Sequence, residues 1–232
     1  MKNKTVNEKI IKIWDKYFPD ANAVYTPLFY DEFKKDAIAF VGMNPSFSES
    51  GFRTFLRGTK FESIKPTEFF KWSNIRSNPK FVDACIEVGT HAQENYNQYF
   101  KKPTEIGRIL DMPVQHLDLF LYMETSQSSF MSKIRDGEKL NAFGLEQLKL
   151  FKQVIEKASP KCVVITNAFG SELVREYFKD DLIWNEKKGF HFLTLNGNKV
   201  PIFFTSMLSG QRSLDRWSYE RLVWHIKQAV KK

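Results

Sequence analysis

Residues 38–48 read Ile-Ala-Phe-Val-Gly-Met-Asn-Pro-Ser-Phe-Ser and bring an amide side chain to the end of an apolar segment. The apolar run is short and follows charged residues, which predicts a strand at residues 37–41 that is buried on both faces. Gly42 permits a backbone conformation that residues with a Cβ resist, and Pro45 pushes Asn44 out of the helical region. Asn44 is therefore expected on a stiff turn at the carboxyl end of a strand, where open α/β sheets place their ligands. The same pattern also fits an ordinary strand-to-loop turn.

A second junction of this kind lies near the carboxyl terminus. Residues 199–214 read Lys-Val-Pro-Ile-Phe-Phe-Thr-Ser-Met-Leu-Ser-Gly-Gln-Arg-Ser-Leu, an apolar strand that leads into a small, polar and basic loop. The apolar spacing after this loop predicts an amphipathic helix from about Leu214 to Val230. Two strand-to-loop junctions with polar residues predict a functional site built from loops at the end of a sheet.

Together, the two segments resemble the signature motifs of the uracil-DNA glycosylase superfamily. Gly42-Met43-Asn44-Pro45 matches the first motif, a strand followed by Gly-x-Asn/Asp-Pro. The mismatch-specific and single-strand-selective branches of that family carry Asn at the catalytic position, as this chain does. The second motif is usually His-Pro-Ser-Pro-Leu-Ser, and the segment here is Phe204-Thr205-Ser206-Met207-Leu208-Ser209. The two serines and the leucine match, whereas the His and both prolines are missing.

The resemblance, which covers the order of elements from about residue 37 to residue 230, implies catalytic roles for two residues. Asn44 would hold the attacking water through its side-chain oxygen, mainly by positioning it, because a neutral amide is a weak base. Ser206 or backbone N–H groups of its loop would partly replace the missing His, which stabilises negative charge on the departing base. The removed base would first be flipped out of the stacked strand.

The base-binding residues are also implied by the resemblance. A stacking Phe is expected about a dozen residues after the first motif, where Phe55 is nearest, with Phe47 and Phe52 as alternatives, and Met43 is expected beside the base. The chain contains 22 Phe, so core packing competes with each of these assignments. The base-reading Asn at the end of strand two corresponds to Asp118. An ionised Asp only accepts hydrogen bonds, so a base with an amino group would fit better than uracil, unless Asp118 is a solvent-facing strand residue.

Contacts with DNA, double- or single-stranded, are expected from the loop after the second motif and from basic residues. The net charge of +8 and a pI of about 9.3 favour polyanionic partners. Leu208 or Met207 would fill the space left by a flipped base, and packing against the last helix is the alternative. The remaining candidates would contact phosphate or form a basic rim, with exposed solubility roles as the alternative: Ser209, Gln211, Arg212, Arg216, Arg221, Arg53, Arg57 and Lys60.

The chain length and amino-acid composition are those of an ordinary globular protein. A chain of 232 residues with 42% hydrophobic residues fits a single α/β domain over residues 1–232. No stretch has the length of a membrane span or the core of a signal peptide, and Cys85 and Cys162 are expected as buried, reduced thiols, which together predict a cytoplasmic monomer. Two cysteines cannot hold an iron–sulfur cluster, and the four histidines lack metal-ligand spacing, so neither metal nor cofactor is expected.

Alternating strands and helices predict the fold class: α/β, with a mostly parallel four-stranded sheet and helices on both faces. The resemblance implies a three-layer α/β/α arrangement with strand order 2-1-3-4. Strands are predicted at residues 37–41, 114–122, 161–166 and 200–205, the last paired in a hairpin with 190–195. Helices are predicted at residues 7–18, 141–158, 168–178 and 214–230, with mainly helical structure at 79–111 and a long, partly structured loop at 46–78.

The sequence thus predicts a divergent DNA-base glycosylase that works without metal or cofactor. Two alternatives remain open: a nucleic-acid-binding relative that has lost catalysis, and a protein with a pocket for a free nucleobase or nucleotide. The intact first motif favours the enzyme, whereas the missing His and Asp118 favour the first alternative.

Overall fold

A computed structural model describes residues 1–20 and 24–231 of the chain. Its helices are α1 (Lys4–Tyr17), α2 (Glu49–Leu56), α3 (Pro66–Phe69), α4 (Trp72–Ser77), α5 (Phe81–Asn95), α6 (Asn97–Leu110), α7 (Gln127–Ile134), α8 (Ala142–Ala158), α9 (Ala168–Tyr177) and α10 (Arg216–Val230). Its strands are β1 (Ile38–Gly42), β2 (Val114–Asp118), β3 (Arg135–Asp136), β4 (Lys139–Leu140), β5 (Cys162–Thr166), β6 (Leu182–Asn185), β7 (Phe190–Leu195) and β8 (Asn198–Thr205).

The protein is an α/β protein with a mixed central sheet of six strands, which confirms the predicted class. The strand order is β2-β1-β5-β8-β7-β6. Pairings among β2, β1, β5 and β8 are parallel, whereas β7 pairs antiparallel with both β8 and β6. The sheet therefore has two strands more than the four expected. The strands that carry the two motifs, β1 and β8, are separated by β5.

Strand β1 lies inside this sheet, with β2 on one side and β5 on the other. All five of its residues are buried, and so are all five of β5, as the continuous apolar runs predicted. The register with β2 ends at the pair Gly42 and Asp118, and the Leu119 N–H donates to the Gly42 carbonyl at 3.0 Å. This register places Gly42, the first residue of the first motif, opposite the candidate base-reading residue Asp118 at one end of the sheet.

The backbone contacts divide the chain into two compact units. The first comprises residues 1–32, 44–96 and 120–152, and the second comprises residues 33–43, 97–119 and 153 onward. Asn44 therefore belongs to the first unit, whereas the sheet and the second motif belong to the second. The single domain over residues 1–232 stays a prediction.

The first unit has an aromatic core around helix α1. The apolar residues of this helix recur at helical spacing, and Ile10, Ile13 and Trp14 are buried. The Trp14 ring lies 5.5 Å from the ring of Phe143 and 6.5 Å from that of Tyr122. Helix α1 thus holds the segment that begins at residue 120, which contacts Asn44 as described below.

The second unit packs helices α6 and α10 against one face of the sheet. The core consists of Ile38, Phe40, Ile106, Cys162, Val164, Phe190, Phe203, Leu208, Leu222 and Ile226. Alternate strand residues contribute to this core because side chains on a strand alternate between faces. Asp215 caps α10 by accepting from the N–H groups of Trp217 at 2.9 Å and Ser218 at 3.0 Å.

Several elements differ from the prediction. The segment 46–78, expected as a long loop, contains α2, α3 and α4. Strand two ends at Asp118 rather than at residue 122, and α7, the β3–β4 hairpin and β6 had no counterpart in the prediction. The predicted strands 37–41 and 161–166 and helix 141–158 lie within one residue of the observed bounds.

Both cysteines are buried free thiols, as expected. Burial raises the pKa of Cys85 to about 12 and also raises that of Cys162. Among residues 1–20 and 24–231, no helix combines the length and apolar character needed to cross a bilayer.

Candidate functional site

Asn44 follows the last residue of β1 by two positions, and its side-chain amide is held by backbone carbonyls of the first unit. Its Nδ2 donates to the carbonyl oxygens of Glu124 at 2.8 Å, Tyr122 at 3.2 Å and Pro45 at 3.2 Å. Because all three partners are acceptors, the amide nitrogen must face them and Oδ1 must face away. In the described part of the chain, Oδ1 receives no hydrogen bond. The side chain is half-buried and presents an oriented acceptor.

The loop that carries Asn44 is joined to residues 122–126 along its length. The Glu124 N–H donates to the Pro45 carbonyl at 3.1 Å, and the Ser46 and Thr125 hydroxyls are 2.9 Å apart. The Thr125 hydroxyl also donates to the Phe47 carbonyl. These contacts join the loop to residues 124 and 125, and the three carbonyl partners of Nδ2 define the direction of Oδ1.

Aromatic side chains of the first unit that follow the first motif pack against other aromatic rings of the same unit. The Phe47 ring stacks on Tyr25 with centroids 4.2 Å apart, and its edge side meets Phe70 at 6.1 Å. The Phe55 ring lies 5.1 Å from that of Tyr96. Phe47 and Phe55 are both half-buried, so each retains some accessible surface. Each of the two rings already packs against a tyrosine, so the packing does not distinguish Phe47 from Phe55 as a stacking candidate.

In the second unit, Gly42 makes room for the carboxyl group of Asp118. A Cβ placed on Gly42 would lie 2.4 Å from Asp118 Oδ1 and 3.0 Å from the Tyr99 hydroxyl. Gly42 does not adopt a positive φ, so the expectation that it serves an unusual backbone conformation is wrong. The glycine is required because a carboxyl and a phenol hydroxyl approach the same point of the backbone. Tyr99 was missed because its helix, α6, gives no sign in the sequence of where it contacts the sheet.

Asp118 is partly accessible but strongly desolvated, and burial raises its pKa to about 7. Burial therefore favours the neutral carboxyl over the ionised acceptor expected from the sequence. Two residues earlier on the same face of β2, burial and then the charge of Lys34 lower the pKa of His116 to about 4. His116 is therefore neutral near pH 7, and its ring packs edge-on against Phe100 at 4.5 Å. Met43, next after Gly42, is half-buried.

The loop after β8 folds back on itself within the second unit. The Leu214 N–H donates to the Met207 carbonyl at 2.9 Å, and Gly210 makes the turn with a φ of 84°. Leu208 is buried in the core with residues of α10, which favours packing over a role as a wedge. Met207, Ser206 and Ser209 are half-buried, and Gln211 and Arg212 are exposed. The Ser206 hydroxyl has no hydrogen-bond partner among the described residues.

Phe204 is, with Thr205, one of the two residues predicted from the resemblance to take the place of the His in the second motif. Its ring lies 5.6 Å from that of His191 in a T-shaped arrangement, and the Arg175 guanidinium lies 5.9 Å from its centroid. Burial, and secondarily Arg175, lowers the pKa of His191, which keeps that ring neutral near pH 7. Phe204 thus packs among these side chains and cannot donate a hydrogen bond.

The candidate rim arginines differ in their local pairing. Arg53 binds Glu49 at 2.6 Å, and Arg216 binds Glu220 at 2.9 Å, each one helical turn away. Lys60 pairs with Glu87. Within residues 1–20 and 24–231, Arg57, Arg212 and Arg221 have no ion-pair partner, and all are exposed. Arg57, Arg212 and Arg221 are therefore the candidate rim arginines whose charge is not neutralised by a local carboxylate.

A scan against protein-family models and a search of curated proteins both gave no match for this chain. No group of three or more His, Cys, Asp or Glu side chains in the described residues is arranged to hold a metal ion. The candidate residues are therefore described by the geometry within each unit: an oriented amide at Asn44 in the first, and a buried carboxyl at Asp118 beside Gly42 in the second.

Replacing Gly42 with Ala tests the close approach of Asp118. The new Cβ would overlap Oδ1, so we expect a loss of about 1–3 kcal/mol in the free energy of unfolding. In an Asp118→Ala background the loss should shrink, because only the contact with the Tyr99 hydroxyl remains. Urea unfolding of the four proteins measures this coupling. Gly89→Ala is the matched control, since nothing lies within 4 Å of its Cβ position. Equal losses in both backgrounds would contradict the assigned contact.

The hydrogen bonds of Asn44 predict that its replacement lowers the free energy of unfolding. If Asn44 were only a surface turn residue, no such loss would be expected. Asn44→Ala removes the donor from the Tyr122 and Glu124 carbonyls, whereas the Pro45 carbonyl keeps the Glu124 N–H, and it should cost about 1–3 kcal/mol. Asn44→Asp should cost more, because an ionised carboxylate would face the same carbonyl oxygens. Urea unfolding at pH 7 measures both. A variant Asn44→Asp as stable as the wild type would show that the amide nitrogen does not face these carbonyls.

Proposed function

We propose that this protein hydrolyses the N-glycosidic bond of a base flipped out of DNA, as a divergent member of the uracil-DNA glycosylase superfamily. The observation that carries this proposal is the Asn44 amide, whose nitrogen is bound to three carbonyls so that Oδ1 is left as a fixed acceptor. A fixed acceptor two residues after a buried strand is suited to hold a water molecule in one orientation.

The reaction requires the protein mainly to position the reacting groups and to stabilise the developing charge. Water forms a bond to C1′, the C1′–N bond breaks, and the base leaves with the bonding electron pair. The proton of the attacking water passes to solvent or to the departing base. Asn44 would hold the water, and the Ser206 hydroxyl with N–H groups of its loop would donate to the negative charge that develops on the base.

The topology adds support. The order of the parallel strands, β2-β1-β5-β8, is the order 2-1-3-4 that the resemblance implies. A three-layer α/β/α arrangement of the glycosylase type is therefore part of the proposal. The extra strands β7 and β6 extend the sheet on the side of β8 and do not alter the pairing of β1.

A second candidate function is binding without catalysis, and the packing of Phe204 favours it. If Phe204 rather than Thr205 takes the place of the family's His, that place holds an apolar ring, and loss of one such donor costs about two to three orders of magnitude in characterised enzymes. A protein that binds DNA or a free nucleobase through the same surfaces would retain the loop geometry and lack turnover.

Base release from defined oligonucleotides tests the proposal. Oligonucleotides with uracil, hypoxanthine, xanthine or mismatched thymine are incubated with the protein, and abasic sites are then cleaved by alkali. We expect release of at least one base, and a decrease of about two orders of magnitude or more for Asn44→Ala, because the water loses its fixed acceptor. Release that survives in Asn44→Ala would exclude the assigned role, and no release with retained DNA binding would establish the second candidate.

Asn74→Ala is the matched control for this experiment. Its Nδ2 also donates to two backbone carbonyls, those of Glu68 at 2.8 Å and Phe69 at 2.9 Å. Its loss should weaken the fold in a comparable way and leave base release within a few-fold of wild type. A similar decrease in both variants would show that the effect of Asn44→Ala is on stability.

The local ion pairs predict which arginines contribute to DNA affinity. Arg57→Ala with Arg212→Ala should weaken binding for all sequences, because these cations are unpaired and exposed. It should also reduce the slope of log K against log[salt] by about 0.9 for each lost phosphate contact. Arg53→Ala with Arg216→Ala should change the slope less, since each is already neutralised by a glutamate. Fluorescence anisotropy between 50 and 200 mM salt measures both slopes, and equal changes would contradict the assignment.

A further inference from the structure

We propose that β6 pairs with the β6 of a second copy of this chain, in an antiparallel ladder centred on Trp184, so that two six-stranded sheets join across a two-fold axis. This dimer does not depend on the proposed function, and the monomer predicted from the sequence is its alternative. The observation that carries it is an edge strand with two adjacent exposed apolar side chains, between an acidic turn and a basic turn.

Strand β6 is the last strand of the sheet, and among the described residues it pairs with β7 alone. Proteins usually protect such an edge from further pairing with charged residues, proline or a covering segment. None of the four residues Leu182–Asn185 is charged or proline, and Ile183 and Trp184 are 42% and 54% exposed. The opposite edge strand, β2, contains no exposed residue. β6 is therefore the edge of the sheet that is open to another strand.

The Trp184 ring packs against the hairpin that β6 forms with β7. Its register partner is His191, and the centroids of the two rings lie 4.8 Å apart. Trp184 stays exposed despite this contact. Aromatic side chains that face each other across antiparallel strands stabilise the pairing, and Trp is enriched where interfaces are buried. Trp184 is thus a suitable centre for an interface between two copies.

Two-fold symmetry restricts the registers that β6 can adopt with its copy. Directly opposite side chains in an antiparallel pair share one face, whereas side chains along a strand alternate between faces. The axis must therefore pass beside one residue, which faces its own copy. An axis beside Ile183 would set Asp180 opposite Glu186, and like charges directly opposite are destabilising. An axis beside Asn185 would set the apolar ring of Trp184 opposite Glu186.

The register centred on Trp184 instead brings opposite charges together. Asp180 and Asp181 precede β6, and Lys187 and Lys188 follow it, so the acidic end of one strand meets the basic end of its copy, twice by symmetry. Asp180 and Lys187 are exposed, and within residues 1–20 and 24–231 neither forms an ion pair. The other charged residues of these turns oppose uncharged ones: Lys179 faces Gly189, and Glu186 faces Leu182. A strand with this charge order is complementary to itself, which favours a second copy as the partner.

Sedimentation equilibrium over a range of concentrations tests the dimer. One short strand per chain is a small interface, of the kind below about 1,200 Å² that forms weak complexes, so the measured mass should rise with concentration from 27.2 kDa toward twice that value. Trp184→Lys should raise the Kd of the dimer at least about tenfold, because like charges would then meet at its centre. Trp224→Lys is the matched control, since Trp224 is 57% exposed on α10, and its Kd should equal that of wild type.

Charge reversal and cross-linking test the register independently of Trp184→Lys. Asp180→Lys and Lys188→Asp should each raise the Kd about threefold or more, and the double variant should return it close to the wild-type value, because opposite charges again face each other. Under oxidation, Trp184→Cys should link two chains, since directly opposite Cα atoms lie about 4.5–5.5 Å apart, within reach of a disulfide. Ile183→Cys should not, and both natural cysteines are buried.

Three results would overturn the inference. The first is a wild-type mass that stays at 27.2 kDa up to about 1 mM, where even a millimolar Kd would be detected. The second is association that survives Trp184→Lys or is lost in Trp224→Lys, which would place the interface elsewhere. The third is a double charge variant as weak as the two single variants, together with no link through Trp184→Cys.

Discussion

The burial of β1 on both faces and along both edges constrains the rest of the candidate site. All five residues of the strand are buried, and parallel partners flank it on each side. A shift of one residue would turn every side chain to the opposite face, so the register is fixed by packing rather than by the loop. That register sets Gly42 opposite Asp118, and the missing Cβ gives the carboxyl its place. The position of a titratable group at the end of the sheet is thus a consequence of core packing.

Asn44 shows how one side chain serves stability and chemistry through the same atoms. The nitrogen joins the loop to backbone carbonyls, and this attachment determines where the oxygen points. An aspartate, which the first motif of the glycosylase family also allows, would direct a negative charge at those carbonyls. The residue type at this position is therefore set by the neighbouring backbone as much as by any reaction. A loss of activity in Asn44→Ala must therefore be compared with the loss caused by removing a structural Asn whose amide also binds backbone carbonyls.

The sequence predicted the interior of the sheet better than its periphery, for a physical reason. Strands buried on both faces are continuous apolar runs, so β1 and β5 could be located within one residue. β6 is an edge strand whose Ile183 and Trp184 are exposed, and its three apolar residues were too few to predict a strand. Helices α2 to α4 span four to eight residues each, which is too short for a clear helical period in the sequence. Ser48 caps the N-terminus of α2, a position at which serine is common.

The candidate functional residues also fall into two groups: those that local sequence predicted and those that depend on the folded surroundings. The position of Asn44 after a strand followed from local sequence, because Gly, Asn and Pro restrict the backbone whatever surrounds them. The protonation of Asp118 and the presence of Tyr99 could not be predicted, since both depend on which groups α6 brings to the sheet. Desolvation is a property of the folded surroundings and has no counterpart in a linear pattern. The sequence accordingly indicated a carboxyl at this position but not its charge.

The second motif limits which bases could leave under the proposed function. Under that function, with Phe204 or Thr205 in place of the His, the negative charge on a departing base would be stabilised by neutral donors such as the Ser206 hydroxyl and backbone N–H groups. Neutral donors form weaker hydrogen bonds than cationic ones, by roughly a factor of two. The base itself must then carry more of the charge, which favours rings whose carbonyl groups delocalise it over rings that carry amino groups instead.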